Sequence, residues 1–245
     1  MKSNKKLLRG IFNKYLGPNI LSEFTFSICT VIDGILSGQY LGDSALASIG
    51  ICTPFPSILA VFAGMMGSGC LVKSSYYMGR GEKENANKVF STVVFVSLLA
   101  SVIITIIFIL FAIPISSLFG ASGQAADLLD GTVDYLVSCS IGTVGMIMYK
   151  VLSPIVQLEG KRMYIRIATI VLATLNIAGD LLNMYVFDRG LFGVGLATAI
   201  STIAATAVLA VALMTPRISF IFSFKLIDFS VLPELLYKGS PKAVR

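Results

Sequence analysis

Long apolar stretches alternate with short polar breaks along the whole chain. A bilayer core takes about 20 apolar residues per helix, and six stretches reach that length: residues 15–41, 53–78, 89–118, 126–156, 163–187 and 193–216. Each is far longer than the roughly ten residues of a barrel strand, so helices are the predicted element. The breaks are polar or small: GRGEKENANK (79–88), LFGASGQ (118–124), QLEGKR (157–162) and FDRG (187–190). Pro18, Pro54, Pro56, Pro114 and Pro154 fall near stretch ends, where proline is best tolerated or bends a helix. After residue 216 the chain reads RISFIFSFKLIDFSVLPELLYKG. Charges and a proline interrupt it, so residues 217–245 are expected as a surface-lying cytoplasmic linker followed by the start of a seventh helix.

Composition turns this pattern into a solvent. Hydrophobic residues make up 56% of the chain and charged residues 13%, against roughly 25% charged in a soluble domain. The fold class is therefore an all-α polytopic membrane protein, a six-helix transmembrane bundle in contact with membrane lipids. The net charge of +6 does not indicate nucleic acid, because the basic residues are scattered in short clusters between apolar runs. Cys29, Cys52, Cys70 and Cys139 lie far apart without a C-x-x-C spacing, which reads as small buried hydrophobes. Histidine is absent, which removes His-based triads and most metal-ligand sets. With no nucleophile–base pair in the sequence, neither an enzyme nor a cofactor is expected.

The basic residues set an orientation. Lys2, Lys5, Lys6, Arg9 and Lys14 precede the first stretch; Lys73, Arg80, Lys83 and Lys88 flank the second connection; Lys150, Lys161, Arg162 and Arg166 flank the fourth; Arg217, Lys225, Lys238, Lys242 and Arg245 follow the sixth. Only Arg189, beside Asp188, belongs to the other side. This bias predicts both termini in the cytoplasm of a cell with a plasma (inner) membrane, and an even number of spans.

That topology locates the buried acids. Asp33 falls about two turns before the outer end of the first span, and Asp180 about two turns before the outer end of the fifth. Asn176 precedes Asp180 by four residues and shares its face. Thr198 lies within about two turns of the start of the sixth span. Two carboxylates, an amide and a hydroxyl thus meet at one level. An ionised carboxylate at depth costs roughly 2.5–3.5 kcal/mol on insertion scales, so the acids take protons or hold a cation. An all-oxygen set suits a hard ion, Na⁺ or H⁺; the plainer alternative is that these groups only bond helices together. Weaker features remain open. Glu23 is either a second proton site or a residue at the cytoplasmic opening. Asn183 either extends the polar face or faces the outer mouth. Gln157 and Glu159 read as an ordinary loop. AGMMGSG (63–69) and GLFGVG (190–195) suit close helix packing.

Four stretches carry a family resemblance: VIDGILSGQYLGDSALASIGICTP, SYYMGRGEKENANKVF, QLEGKRMYIRIATIVLATLNIAGDLLNMYVF and GLFGVGLATAIST. In that order they resemble the multidrug and toxic compound extrusion (MATE) transporters, and the NIxxD spacing resembles the DinF-type branch. The resemblance implies an amino-terminal lobe whose Na⁺/H⁺ site is Asp33, Asn176, Asp180 and Thr198, and a first helix that bends around Pro18. It also implies twelve helices in two lobes, of which this chain holds one. A fragment, or a half-size protein that pairs with a second chain, is expected. The function implied is a secondary antiporter exporting organic cations or amphiphiles against Na⁺ or H⁺. The alternatives are a lipid-linked precursor flippase, which would carry basic residues in its cavity, and a membrane structural subunit.

Overall fold

The computed structural model describes residues 2–215 and 218–239, with side chains described at Ile20 and from Ser22 onward. Among the described residues there are helices and turns and no strand. The first expected stretch falls within α1 (Lys2–Leu41), a single continuous helix. Pro18 lies inside α1, but its side chain is outside the described residues. Gly42, at φ 88°, takes the left-handed backbone that only glycine adopts cheaply and turns the chain into α2 (Asp43–Ile51). Next come α3 (Pro54–Gly79), which opens on a proline where the lost N–H is harmless, and α4 (Lys83–Leu110). A break at Phe111 leads to α5 (Ala112–Phe119).

A 3₁₀ turn (Gly123–Leu128) leads into α6 (Leu129–Ile141) and α7 (Thr143–Leu158). The chain then forms α8 (Arg162–Leu182), a π turn (Asn183–Phe187) and α9 (Gly190–Met214).

Among the described residues, α2 with α3, α4, α8 with its π turn, and α9 are long and apolar enough to cross a bilayer. The pair α6–α7 meets the same test but is bent by 47°. The fourth expected stretch is therefore not one rod. The break falls at Gly142, where a Cβ would stand 2.6 Å from the Ala199 Cα, so bending there brings α7 against α9. The third stretch is likewise interrupted, at Phe111.

The core lies among α3, α4, α7, α8 and α9. On α4, Leu99, Ile103, Ile106 and Leu110 recur at helical spacing and stay exposed, an apolar stripe suited to lipid. Two buried hydroxyls of α6 are satisfied within their own helix: Ser138 donates to the Asp134 carbonyl at 2.9 Å and Ser140 to that of Leu136 at 2.6 Å. All four cysteines are free and buried. The AGMMGSG stretch does carry a close approach. A Cβ on Gly67 would stand 2.8 Å from the Lys150 carbonyl oxygen, so α3 and α7 touch backbone to backbone there.

The chain beyond α9 is tied to the helices by hydrogen bonds while most of its residues stay exposed or half-buried. Residues 218–231 run along α4 and the α7–α8 turn. The Ser219 N–H donates to both Glu159 carboxylate oxygens at 3.1 and 3.2 Å. The Ile221 N–H donates to Asn87 Oδ1 at 2.9 Å, that of Ser223 to Ser91 Oγ at 3.0 Å and that of Asp228 to Thr92 Oγ1 at 2.9 Å. A last helix, α10 (Leu232–Gly239), lies on α3. Leu235 is fully buried, and its carbonyl oxygen sits where a Cβ on Gly69 would be. Glu234 pairs with Lys73 at 2.5 Å and with Lys238 at 2.7 Å. These two hydrogen-bonding ammonium groups, Lys238 first, hold the Glu234 carboxyl down at about 2.

Gln157 also departs from the loop expected for it: it lies inside α7 and is buried.

Candidate cation-binding site

Three helices deliver the polar cluster. α1 packs on α8, and α8 on α9. Asn176 and Asp180, one turn apart on α8, point between these two neighbours, where Asp33 of α1 and Thr198 of α9 meet them. The Asn176 amide donates to Thr198 Oγ1 at 3.2 Å, and the Thr198 hydroxyl donates to Asp33 Oδ2 at 3.5 Å. The two carboxylates are each other's charged neighbours. All four residues singled out from the sequence are thus brought together.

None of the acidic oxygens points at lipid. Asp33 retains 4% of its surface and Asp180 none. With both acids ionised, both Asp180 oxygens, Asp33 Oδ1 and Asn176 Oδ1 are buried without a donor; the two carboxyls stand within hydrogen-bonding reach of each other, so a single proton shared between them would link the pair. Among the described residues neither acid is ion-paired to a Lys or Arg. Four buried acceptors with no donor are a costly arrangement, each worth about 1–3 kcal/mol or more when charged. A proton or a small hard cation is the guest that this donor set fits. Among the described residues no cluster of three or more Cys, Asp or Glu is placed to hold a metal ion.

Sequence reasoning missed the surroundings of the acids. Cys29, one turn before Asp33, and Cys139 lie within the field of both carboxylates, and Tyr135 within that of Asp33. Tyr135 and Cys139 of α6 also line a cavity of about 380 Å³ shared with Asp33 and Thr198. No signal in the sequence marked them, since they sit in an ordinary apolar run.

The open readings on other residues resolve. Asn183 does not extend the polar face. Its amide donates to the Gly190 carbonyl at 2.9 Å and its Oδ1 accepts from the Arg189 N–H at 3.1 Å, stapling the α8–α9 turn. Glu23 is not a lone acid but is paired with Lys150 at 2.6 Å. Lys150, counted with a connection on charge alone, stands about two turns inside α7 and lines the same cavity as Asp33.

The family model MatE matches residues 18–182. The chain belongs to the MATE family. The chain is similar to the multidrug export protein MepA of Staphylococcus haemolyticus (strain JCSC1435), 27% identical over 179 residues that make up 71% of this chain and 39% of MepA. In fold it resembles a solved MATE described as in the bent conformation, with a TM-score of 0.80 and 23% identity over 91% of this chain and 50% of the other. A MATE described as in the straight conformation gives 0.78 and 24%, over 93% and 50%. The chain therefore spans about half the length of the MATE proteins it matches, and it is a membrane protein of a multidrug efflux family.

Proposed function

We propose that this chain is the amino-terminal lobe of a secondary active antiporter, in which one Na⁺ or H⁺ binds between Asp33 and Asp180. Asn176 and Thr198 act as neutral oxygen ligands. The observation that carries the reading is the pair of buried, unpaired carboxylates with four orphaned oxygens at the junction of α1, α8 and α9. The cluster lies toward the end where α1 finishes and α9 begins, which the basic-residue bias makes the extracellular end, with both termini cytoplasmic in the plasma membrane. A cation entering from there gains about 2.3 kcal/mol per charge per 100 mV of membrane potential as it moves inward. Because Asp33 is the only member of the set on α1, occupancy changes how strongly α1 is held to α8 and α9. Pro18 is the residue that would permit a bend in α1. The exported ligand is an organic cation or amphiphile, and a second, carboxy-terminal lobe completes the cleft in which the two halves rock. The work is transport, with no chemical conversion.

Lys150 gives the lipid-linked precursor flippase reading one supporting observation, a basic group in the cavity. Lys150 is a single basic group in a cavity that also contains Asp33 of the acid pair, so the antiporter remains the better reading. The test is dye export from vesicles carrying this lobe together with a family carboxy-terminal lobe, driven by a Na⁺ or pH gradient. Asp33→Asn and Asp180→Asn are expected to abolish the gradient dependence; export that keeps it in both variants would contradict the proposal.

A further inference from the structure

The cavity beside the cation site has a second charged feature that ion coupling leaves unused. Lys150 and Glu23 line both the 380 Å³ cavity containing Asp33 and an adjoining one of about 440 Å³. The ion pair thus stands at the junction of two hollows. The two partners are held very differently. The Lys150 side chain is 24% exposed, with its ammonium 5.6 Å from the Phe26 ring centroid. Phe26 is itself fixed edge-to-face on Tyr149 at 5.5 Å. Tyr149 is tied by its hydroxyl to Ser22 at 3.3 Å and Thr169 at 3.0 Å. The ammonium therefore rests on a built platform. The Glu23 carboxylate is 67% exposed and has no comparable support in these contacts beyond its Lys150 bond.

We infer that Lys150 is an anion-recognition residue, and that the cavity takes an amphiphile whose single acidic group, a carboxylate or phosphate, displaces Glu23 while its apolar body lies against Phe26 and Met146. Glu23 serves as a displaceable counter-ion that keeps the half-buried ammonium neutralised between ligands. The inference rests on the proposed transport function and names one ligand class for its cavity. Met146, only partly buried, supplies apolar surface in the cavity that holds Asp33. A charge-assisted hydrogen bond formed away from bulk water is the interaction that would distinguish acid from neutral ligand here.

The test is fluorescence binding to the purified chain in nanodiscs of neutral lipid, with a dansylated long-chain carboxylate, its methyl ester and a short-chain phosphatidic acid. The carboxylate is expected to bind about tenfold more tightly than the ester, the scale of one charge-assisted hydrogen bond. Lys150→Met removes that advantage while ester affinity stays within about twofold, which also shows that the cavity is intact. Glu23→Gln, which frees the ammonium, strengthens carboxylate binding severalfold. Phosphatidic acid competing as well as the carboxylate assigns the site to a lipid headgroup, and failure to compete assigns it to a free amphiphilic acid; both keep Lys150 as the recognition residue. Equal binding of acid and ester to the wild type, or weaker acid binding in Glu23→Gln, would overturn the inference. Na⁺ binding measured with ²²Na⁺ on the same sample reports Asp33 and Asp180 separately, so failure of the coupling reading and failure of this one are distinguishable.

Discussion

Two acidic clusters in this chain are built on opposite principles. At the α10–α3 contact, Glu234 sits between Lys73 and Lys238 and its carboxyl is held well below its ordinary value. At the α1–α8–α9 junction, Asp33 and Asp180 have only each other, an amide and a hydroxyl, and four oxygens go without donors. The first arrangement is complete and serves to fasten a helix. The second is incomplete, and a protein keeps such a cost where something else is meant to supply the missing charge. The Glu23–Lys150 pair is intermediate: satisfied, yet exposed on one side and open to exchange.

The comparison is sharpened most by removing one acid from each cluster. Asp180→Asn relieves the crowding of two unpaired carboxylates and supplies a donor, so it should raise ion-free stability by about 2 kcal/mol. If Na⁺ is the guest, the same variant should lose a Na⁺-dependent stabilisation of about 2.7 kcal/mol at a hundredfold excess over the dissociation constant. Thermal unfolding in nanodiscs with and without Na⁺ reads both. A lower ion-free stability in Asp180→Asn would mean that the acid is structural glue.

Next in size is the neutral-ligand contribution. Thr198→Val removes the donor to Asp33 and the acceptor for Asn176 and is expected to weaken cation affinity by about tenfold, the scale of one hydrogen bond near 1.5 kcal/mol. Isothermal titration of the variant measures it, and unchanged affinity would drop Thr198 from the set.

The smallest effect is at Glu234, which is half exposed. Glu234→Gln should loosen α10 by about 0.5 kcal/mol, a value already discounted for solvent screening. Its pH dependence has a definite sign. A carboxyl at about 2, against its ordinary 4.5, stabilises docking fully above pH 4.5 and loses that contribution as pH falls toward 2. The protection of the 232–239 amides, taken as exchange relative to the intrinsic rate at each pH, should therefore fall from pH 4.5 toward 2 in the wild type and stay constant in Glu234→Gln. An equal fall in both would assign the loosening elsewhere.

Much of this was legible in the residues. Asp33 and Asp180 stood out because a lone carboxylate in an apolar helix has few reasons to exist, and Asn176 followed from helical spacing. The rest was not legible for identifiable reasons. Asn87, Ser91, Thr92 and Glu159 look like ordinary polar residues near helix ends, and their partners lie far along the chain at 219–228. Lys150 was assigned to a connection because counting positive charge ranks loops, not positions within a helix. The bend between α6 and α7 coincides with the close approach of Ala199 to Gly142, a long-range contact that no local pattern in 126–156 encodes.

The central claim is tested most directly by counting ions on the purified chain. ²²Na⁺ retained and protons exchanged are measured on one nanodisc sample, for wild type, Asp33→Asn and Asp180→Asn. The account predicts saturable Na⁺ uptake or saturable proton exchange in the wild type and loss of both in each variant. Uptake and exchange equal to wild type in the two variants would contradict it.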